Sequence, residues 1–247
     1  VGSSQQTRCS ECPLQLAQCL RALSPEQVET MQSIKRGERM VERGDTVFEQ
    51  GSDGSELFTV LEGVLMRVRT LDDGRRQIVN LMFPGDLVGL QGAFDDPRSH
   101  SVEAILPARL CEFHRVDFPT LIRSHPRLGY DIVWMAAKEE TELEEHIVSL
   151  GQRNARERIA NLAVWMVDRA QASGIARRDN SLELPITQTQ VAEMLGLSLV
   201  HVNRTLQWLR SEKLVDWRNG RIAVPDMERT SDFAQFEGRR MQMRPFI

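Results

Sequence analysis

The chain has 247 residues, a formal net charge of −4, 41% hydrophobic and 27% charged residues, an ordinary balance for a globular protein of one large domain or two modest ones. No apolar run reaches the roughly 18 residues of a membrane span, and the start lacks a basic region followed by an apolar stretch. Neither a membrane helix nor a secretory signal is expected, the cytoplasm is the expected compartment, and the mild acidity does not exclude nucleic acid, which needs only one neutral or basic face.

The first element, residues 1–24, is a cysteine-containing loop. "RCSECPLQLAQC" at residues 8–19 carries Cys9, Cys12 and Cys19, and the one other cysteine is Cys111. Three clustered thiols and a distant fourth suit an iron–sulfur cluster, a Cys₄ zinc site, a regulatory disulfide of Cys9 with Cys12 or Cys19, or inert residues; spacing alone leaves these open.

From about Glu38 to Phe113, short Val, Ile, Leu and Phe-rich runs are punctuated by Gly44, Gly51, Gly54, Gly63, Gly74 and Gly85, the turn rhythm of an all-β barrel or sandwich. Residues 25–125 are therefore expected to be β. "LDDG" ahead of "RRQIVNLMF" predicts a hairpin, its glycine supplying the positive φ of a tight turn.

After Pro126 the texture turns to Ala, Leu, Glu and Arg without proline, predicting a long helix over 126–153. Ala136, Glu140, Leu143, Ile147 and Leu150 follow 4-3-4-3 spacing, which suits a coiled-coil dimer seam and equally an amphipathic helix packed on its own barrel. Gly151 is expected to mark a joint, with a second helix from about Asn154 to Ala172 that Gly174 ends.

Thr187 and Gln190 form a T-x-x-Q capping box ahead of Val191, Met194 and Leu195, so a short helix begins there and stops at Gly196. Ser198 can cap a second helix whose stripe of Val202, Leu206 and Leu209 is buried. At 100° per residue, Val200, Arg204, Gln207 and Ser211 face away from that stripe, with Asn203 on the flank. Arg suits guanine, Asn and Gln suit adenine, and Val suits a thymine methyl. Thr187, Gln188, Ser198, Val200, His201, Asn203, Arg204 and Gln207 are thus the candidate DNA-binding residues. "WRNGRIAV" then places an Asn-Gly turn between short strands, a wing. One such helix reads few base pairs, so a dimer on a palindrome is expected.

No enzyme is expected. His100, His114, His125, His146 and His201 are scattered without metal-ligand spacing, and neither a P-loop, a dinucleotide fingerprint nor a nucleophile elbow occurs.

A glycine-punctuated β-roll, a long helix and a C-terminal winged helix-turn-helix resemble the CRP/FNR family of bacterial transcription regulators over about Cys9 to Asp226. "FPGDLVGL" followed by "CEF" at Cys111, together with "LGQRNARERIANL", resemble its FNR-like, oxygen-sensing branch. The resemblance implies an α+β architecture: a cyclic-nucleotide-binding-like jelly roll, a dimerisation helix at 126–153, a winged helix-turn-helix at 154–230 and a tail at 231–247. It further implies a homodimer on a pseudo-palindromic double-stranded DNA operator, RNA polymerase as a partner, and an oxygen-labile [4Fe–4S] cluster on Cys9, Cys12, Cys19 and Cys111. The C-x₆-C spacing differs by one residue from the best-known member.

Three departures qualify what the resemblance implies. Cyclic-nucleotide-binding relatives hold ribose with Gly-Glu and phosphate with Arg-Ser. Gly85-Asp86 and Arg98-Ser99 stand in similar places and mark an alternative effector pocket of Asp86, Arg98 and Ser99, for a cyclic nucleotide or other small anion. Asp86 is a methylene shorter than Glu, and Asp95 and Asp96 would repel a phosphate. Second, FNR-like readers carry Glu-x-x-Ser-Arg where this chain has Val200-His201-Val202-Asn203-Arg204, so the guanine contact is kept and the acceptor for cytosine is lost. Third, "KEETELEEH" at residues 138–146 puts five glutamates on or near the expected seam. Exposed, they are an ordinary solvated helix face; on the seam, their repulsion across a dimer axis predicts conditional dimerisation.

Overall fold

In the computed structural model, which describes residues 7–17, 19–91, 97–238 and 243–247, the short helices α1 (Pro13–Leu16) and α2 (Pro25–Ile34) lead into a two-sheet roll. One sheet has the order β1 (Gly37–Val41), β8 (Ala108–His114), β3 (Glu56–Glu62), β6 (Leu87–Val88). The other has β2 (Thr46–Phe48), β7 (Ser101–Ala104), β4 (Leu65–Thr70), β5 (Arg76–Met82). All these pairings are antiparallel, and Gly74, at φ 83°, turns the β4–β5 hairpin as expected.

Side chains alternate across a strand, and here the alternation separates two cores. Phe58, Val60 and Leu110 meet Val47, Leu65 and Val102 between the sheets. Leu57, Leu61, Cys111 and Phe113 turn outward beneath the N-terminal segment. On the other sheet, Met66, Val68, Ile78 and Leu81 join the core of the helical half of the chain, so the two halves share one apolar cluster.

α3 (Phe118–Ser124) precedes α4 (Pro126–Gln152), which runs through Gly151. The joint falls later because Asn154 caps α5 (Ala155–Ala172): its side chain accepts from the Arg156 and Glu157 amides at 3.0 and 3.2 Å, and the Glu157 carboxylate accepts the Asn154 amide at 2.9 Å. Glycine costs a helix interior only about 1 kcal/mol, whereas a capping box satisfies two orphan amides and starts a new helix.

The glutamate-rich stretch does not all face outward. Glu139 pairs with the buried Arg67 of β4, and Glu142 lies 3.9 Å from the buried Arg169 of α5, so both are engaged within the chain; Glu140, Glu144 and Glu145 remain exposed. Of the expected seam residues, Ala136, Glu140 and Ile147 are exposed, while Leu143 and Leu150 are half-buried. Exposed Tyr130, Val133 and Val148 widen the apolar surface of α4.

The C-terminal half holds β9 (Ser181–Glu183), α6 (Gln188–Leu195), α7 (Leu199–Ser211), β10 (Asp216–Arg218), β11 (Arg221–Ala223) and α8 (Met227–Ala234). β10, β11 and β9 form a small sheet. α8, part of which falls in the expected tail, buries Thr230 and Ala234. Residues 243–247 return to the roll: Arg244 bridges in parallel to Leu20, and Phe246 and Ile247 are buried with Leu14, Leu20 and Leu57. No described helix is long and apolar enough to cross a membrane.

Candidate functional site

The N-terminal cysteines are held by local structure. Cys9 opens a single 3₁₀ turn, Cys9–Glu11, and its amide donates to Gln32 Oε1 of α2 at 2.8 Å. Cys12 is the N-cap of α1, where Pro13 fits because the first helical residue needs no N–H partner. Cys19 accepts the Arg244 amide on its carbonyl at 3.2 Å. Cys111 sits mid-strand in β8, in register with Glu38 of β1 and Thr59 of β3.

All four thiols are free, Cys9 and Cys111 buried and Cys12 and Cys19 half-buried, and all four belong to one apolar cluster. Burial pushes the Cys111 thiol up to about 12; the Lys35 ammonium opposes this, while Cys9, Cys12 and Glu38 reinforce it. Burial likewise pushes Cys9 and Cys12 up. Four cysteines match a [4Fe–4S] or Cys₄ metal site in kind and number. In the conformation described they are gathered but not closed: among the described residues no group of three or more His, Cys, Asp or Glu stands ready to share one ion.

The helix pair at the other end matches its capping signals. Thr187 Oγ1 accepts the Gln190 amide at 3.1 Å and Gln190 Oε1 accepts the Thr187 amide at 2.8 Å. Gly196, at φ 60°, ends α6 in the left-handed region that favours glycine. Ser198 Oγ then accepts the His201 amide at 3.3 Å and starts α7. Val202, Leu206 and Leu209 are buried; Val200, His201, Arg204, Gln207 and Ser211 are exposed, and Asn203 is half-buried. Thr187, Gln188 and Ser198 are exposed at the helix starts, where free amides suit phosphate. An amide relay joins the helices: Gln207 Nε2 donates to Asn203 Oδ1 at 2.8 Å, and Asn203 Nδ2 to Gln188 Oε1 at 3.2 Å. Asn219 and Gly220, at φ 53° and 75°, turn the wing between β10 and β11.

Residues 38–125 match the cyclic nucleotide-binding domain, and residues 157–230 the Crp-like helix-turn-helix domain. The chain is 31% identical over 232 residues to the transcriptional activator protein FnrL of Cereibacter sphaeroides, covering 92% of this chain and 90% of that protein. The chain belongs to the CRP/FNR family of transcription regulators. It is also 28% identical over 226 residues to the nitrogen fixation regulation protein FixK of Bradyrhizobium diazoefficiens, covering 92% and 93%. In fold it is similar to FixK2 from Bradyrhizobium japonicum, with a TM-score of 0.69 at 23% identity, covering 79% of this chain and 95% of that one. Members of this family bind DNA and form dimers, and this chain is a DNA-binding transcription regulator rather than an enzyme.

The residues of the alternative effector pocket are engaged within the chain. Asp86 accepts the Phe83 amide at 2.7 Å and ion-pairs with Arg169 of α5 and with Arg244. Burial pushes its carboxyl up, but the two guanidinium groups and the Phe83 amide outweigh this and hold it well below the usual carboxylate range. Arg98 is instead spent on Glu56, 3.1 Å away, and stacks 3.7 Å over the Phe48 ring. Ser99 pairs with its neighbour His100 at 3.1 Å. Asp86 and Arg98 thus have different charged partners; Asp95 and Asp96 lie outside the described residues.

Sequence reasoning missed Arg169, Arg244 and the Arg21–Asp131 pair, which links the segment after Cys19 to the buried face of α4. Arg169 carried a signal: it interrupts the buried stripe of Met166, Val167 and Ala170, and a buried charge demands a partner. Arg244 carried none.

Proposed function

We propose that this regulator acts in the cytoplasm as a homodimer on a pseudo-palindromic operator, and that an oxygen- or redox-responsive [4Fe–4S] cluster on Cys9, Cys12, Cys19 and Cys111 governs its dimerisation and operator binding. The observation that carries this is the convergence of all four cysteines of the chain, all free, in one apolar pocket under the N-terminal segment. A cluster there would be held by the four cysteine thiolates and would supply an iron–sulfur core open to oxidation.

The chain's own residues offer a route from that pocket to the dimer helix. Leu128, Ile132 and Met135 of α4 belong to the same apolar cluster as the cysteines, and Arg21 ion-pairs with the buried Asp131 one residue before Ile132. α4 also exposes Val133 and Ile147, apolar surface that a second copy would cover. Repacking of the cysteine segment therefore moves the seam, since packed cores have discrete arrangements rather than a continuum. On DNA, Arg204 reads guanine in the major groove of each half-site and the wing flanks it, with RNA polymerase as the partner at the promoter.

Operator affinity of the wild type and of Cys9→Ser and Cys111→Ser, measured under anaerobic conditions and again after air, tests this. The wild type is expected to lose affinity in air, and each variant to bind weakly in both conditions. Variants that respond to air as the wild type does would overturn the assignment.

A further inference from the structure

Asp86 is the point where three parts of the chain meet. It belongs to the roll, Arg169 belongs to α5 of the DNA-binding half, and Arg244 belongs to the C-terminal segment. Asp86 is 8% exposed and Arg169 2%, so neither charge has water to fall back on, and loss of either cation changes how the other is held.

The C-terminal segment also grips the cysteine region directly. The Arg244 amide donates to the Cys19 carbonyl at 3.2 Å, and the Arg244 carbonyl accepts the Arg21 amide at 2.7 Å. Three residues on, the Ile247 carbonyl accepts from Thr59 Oγ1, and Thr59 is the β3 residue in register with Cys111. Phe246 and Ile247, 3% and 4% exposed, fill the apolar cluster that contains the cysteines. One short segment therefore pins the backbone at Cys19, covers the strand position beside Cys111, and supplies one of the two cations on Asp86.

We propose that residues 243–247 form a strap with two tasks: it holds the cysteine segment in its gathered but unclosed arrangement, and through Arg244 it positions the DNA-binding half by sharing Asp86 with Arg169. A movement of Cys19 that closes the cysteines around a metal breaks its backbone bond to Arg244. Once Arg244 leaves, the carboxylate turns wholly to Arg169, which shifts α5 against the roll. Arg244 is thus a positioning residue for operator binding, distant from the DNA it affects. The closure step rests on the cysteine-site assignment above, but the strap itself does not, because its contacts are all between residues of the chain.

The experiment uses metal-free full chain, kept reduced, in three forms: wild type, Arg244→Gln and Arg244→Lys. A chain lacking residues 243–247 is a fourth, and thermal melting verifies that each is folded. Alkylation of Cys9, Cys19 and Cys111 is followed residue by residue by mass spectrometry, alongside binding to a selected operator. Removal of residues 243–247 is expected to speed alkylation of Cys19 at least tenfold, and Arg244→Gln to shift operator affinity at least threefold, while Arg244→Lys stays near the wild type. In an Arg169→Met background the same Arg244→Gln change is expected to leave operator affinity unmoved, which a purely structural role for Arg244 would not produce. Unchanged alkylation in the folded chain lacking residues 243–247 overturns the strap, and unchanged operator affinity in Arg244→Gln overturns its positioning role. Neither outcome depends on whether iron or zinc later binds.

Discussion

Val200 and Arg204 stand one helical turn apart on the open face of α7, so base contacts there can be altered without touching the core. Loss of the Arg204 guanidinium is expected to cost about 1–3 kcal/mol on operators with guanine at its position and to relax the preference there. Binding of Arg204→Ala to a panel of single-base operator variants checks this; a uniform loss across the panel would assign Arg204 to the phosphates. Val200→Glu restores an acceptor and is expected to move the selected base at its position toward cytosine, and an unchanged selected sequence would contradict that. His100 sets a pH dependence. Burial, reinforced by Arg67, Arg69 and Arg98, pushes its imidazole down to about 3, against an ordinary value of about 6.5. Between those limits the unfolded chain binds a proton that the folded chain does not, so stability falls as pH drops below about 6.5. Urea unfolding at neutral and mildly acidic pH should show this fall, and His100→Gln should flatten it; an unflattened slope removes His100 as its source.

At the scale of elements, the caps are where sequence and structure agree most closely. Thr187–Gln190, Ser198 and the Asn219-Gly220 turn are local signals, decided by residues within a few positions of one another, and they can be read without knowing what packs where. Thr187→Ala should cost about 1 kcal/mol of stability, measured by urea denaturation, and a change near zero would mean the cap is dispensable. Positions on α4 are harder to read, because spacing gives a face but not what lies opposite it. Glu139 and Glu142 were expected near a dimer axis, yet Arg67 and Arg169 engage them within the chain. The joint near Gly151 moved for a related reason, the cap at Asn154 outweighing a tolerated glycine. Ile147, 68% exposed, can be changed to Glu with little effect on folding. Ile147→Glu is expected to turn the dimer into monomer in sedimentation and to weaken operator binding, and a dimer that persists would place the seam elsewhere.

Over the whole molecule, the β-roll and the DNA-binding half are joined rather than strung together. Met66, Val68, Ile78 and Leu81 of the roll share a core with α5, α6 and α7, and Gln77 Nε2 donates to the Met194 carbonyl of α6 at 2.9 Å. The roll, the long helix and the winged helix pair could all be read from turn spacing, composition and capping. The Asp86 junction could not: its partners lie 83 and 158 residues away, and nothing in local periodicity specifies such a contact. The cysteine site falls between these cases. Its four cysteines can be picked out in the sequence, whereas their gathering in one apolar cluster with Phe246 and Ile247 is evident only in three dimensions. The most direct test is iron and acid-labile sulfide content per chain, with the visible spectrum and operator affinity, on protein purified without oxygen and then exposed to air. About four iron and four sulfide per chain, a visible absorbance that bleaches in air, and a parallel loss of operator binding are expected for a [4Fe–4S] site. A colourless, iron-free protein whose operator affinity is the same before and after air would contradict it.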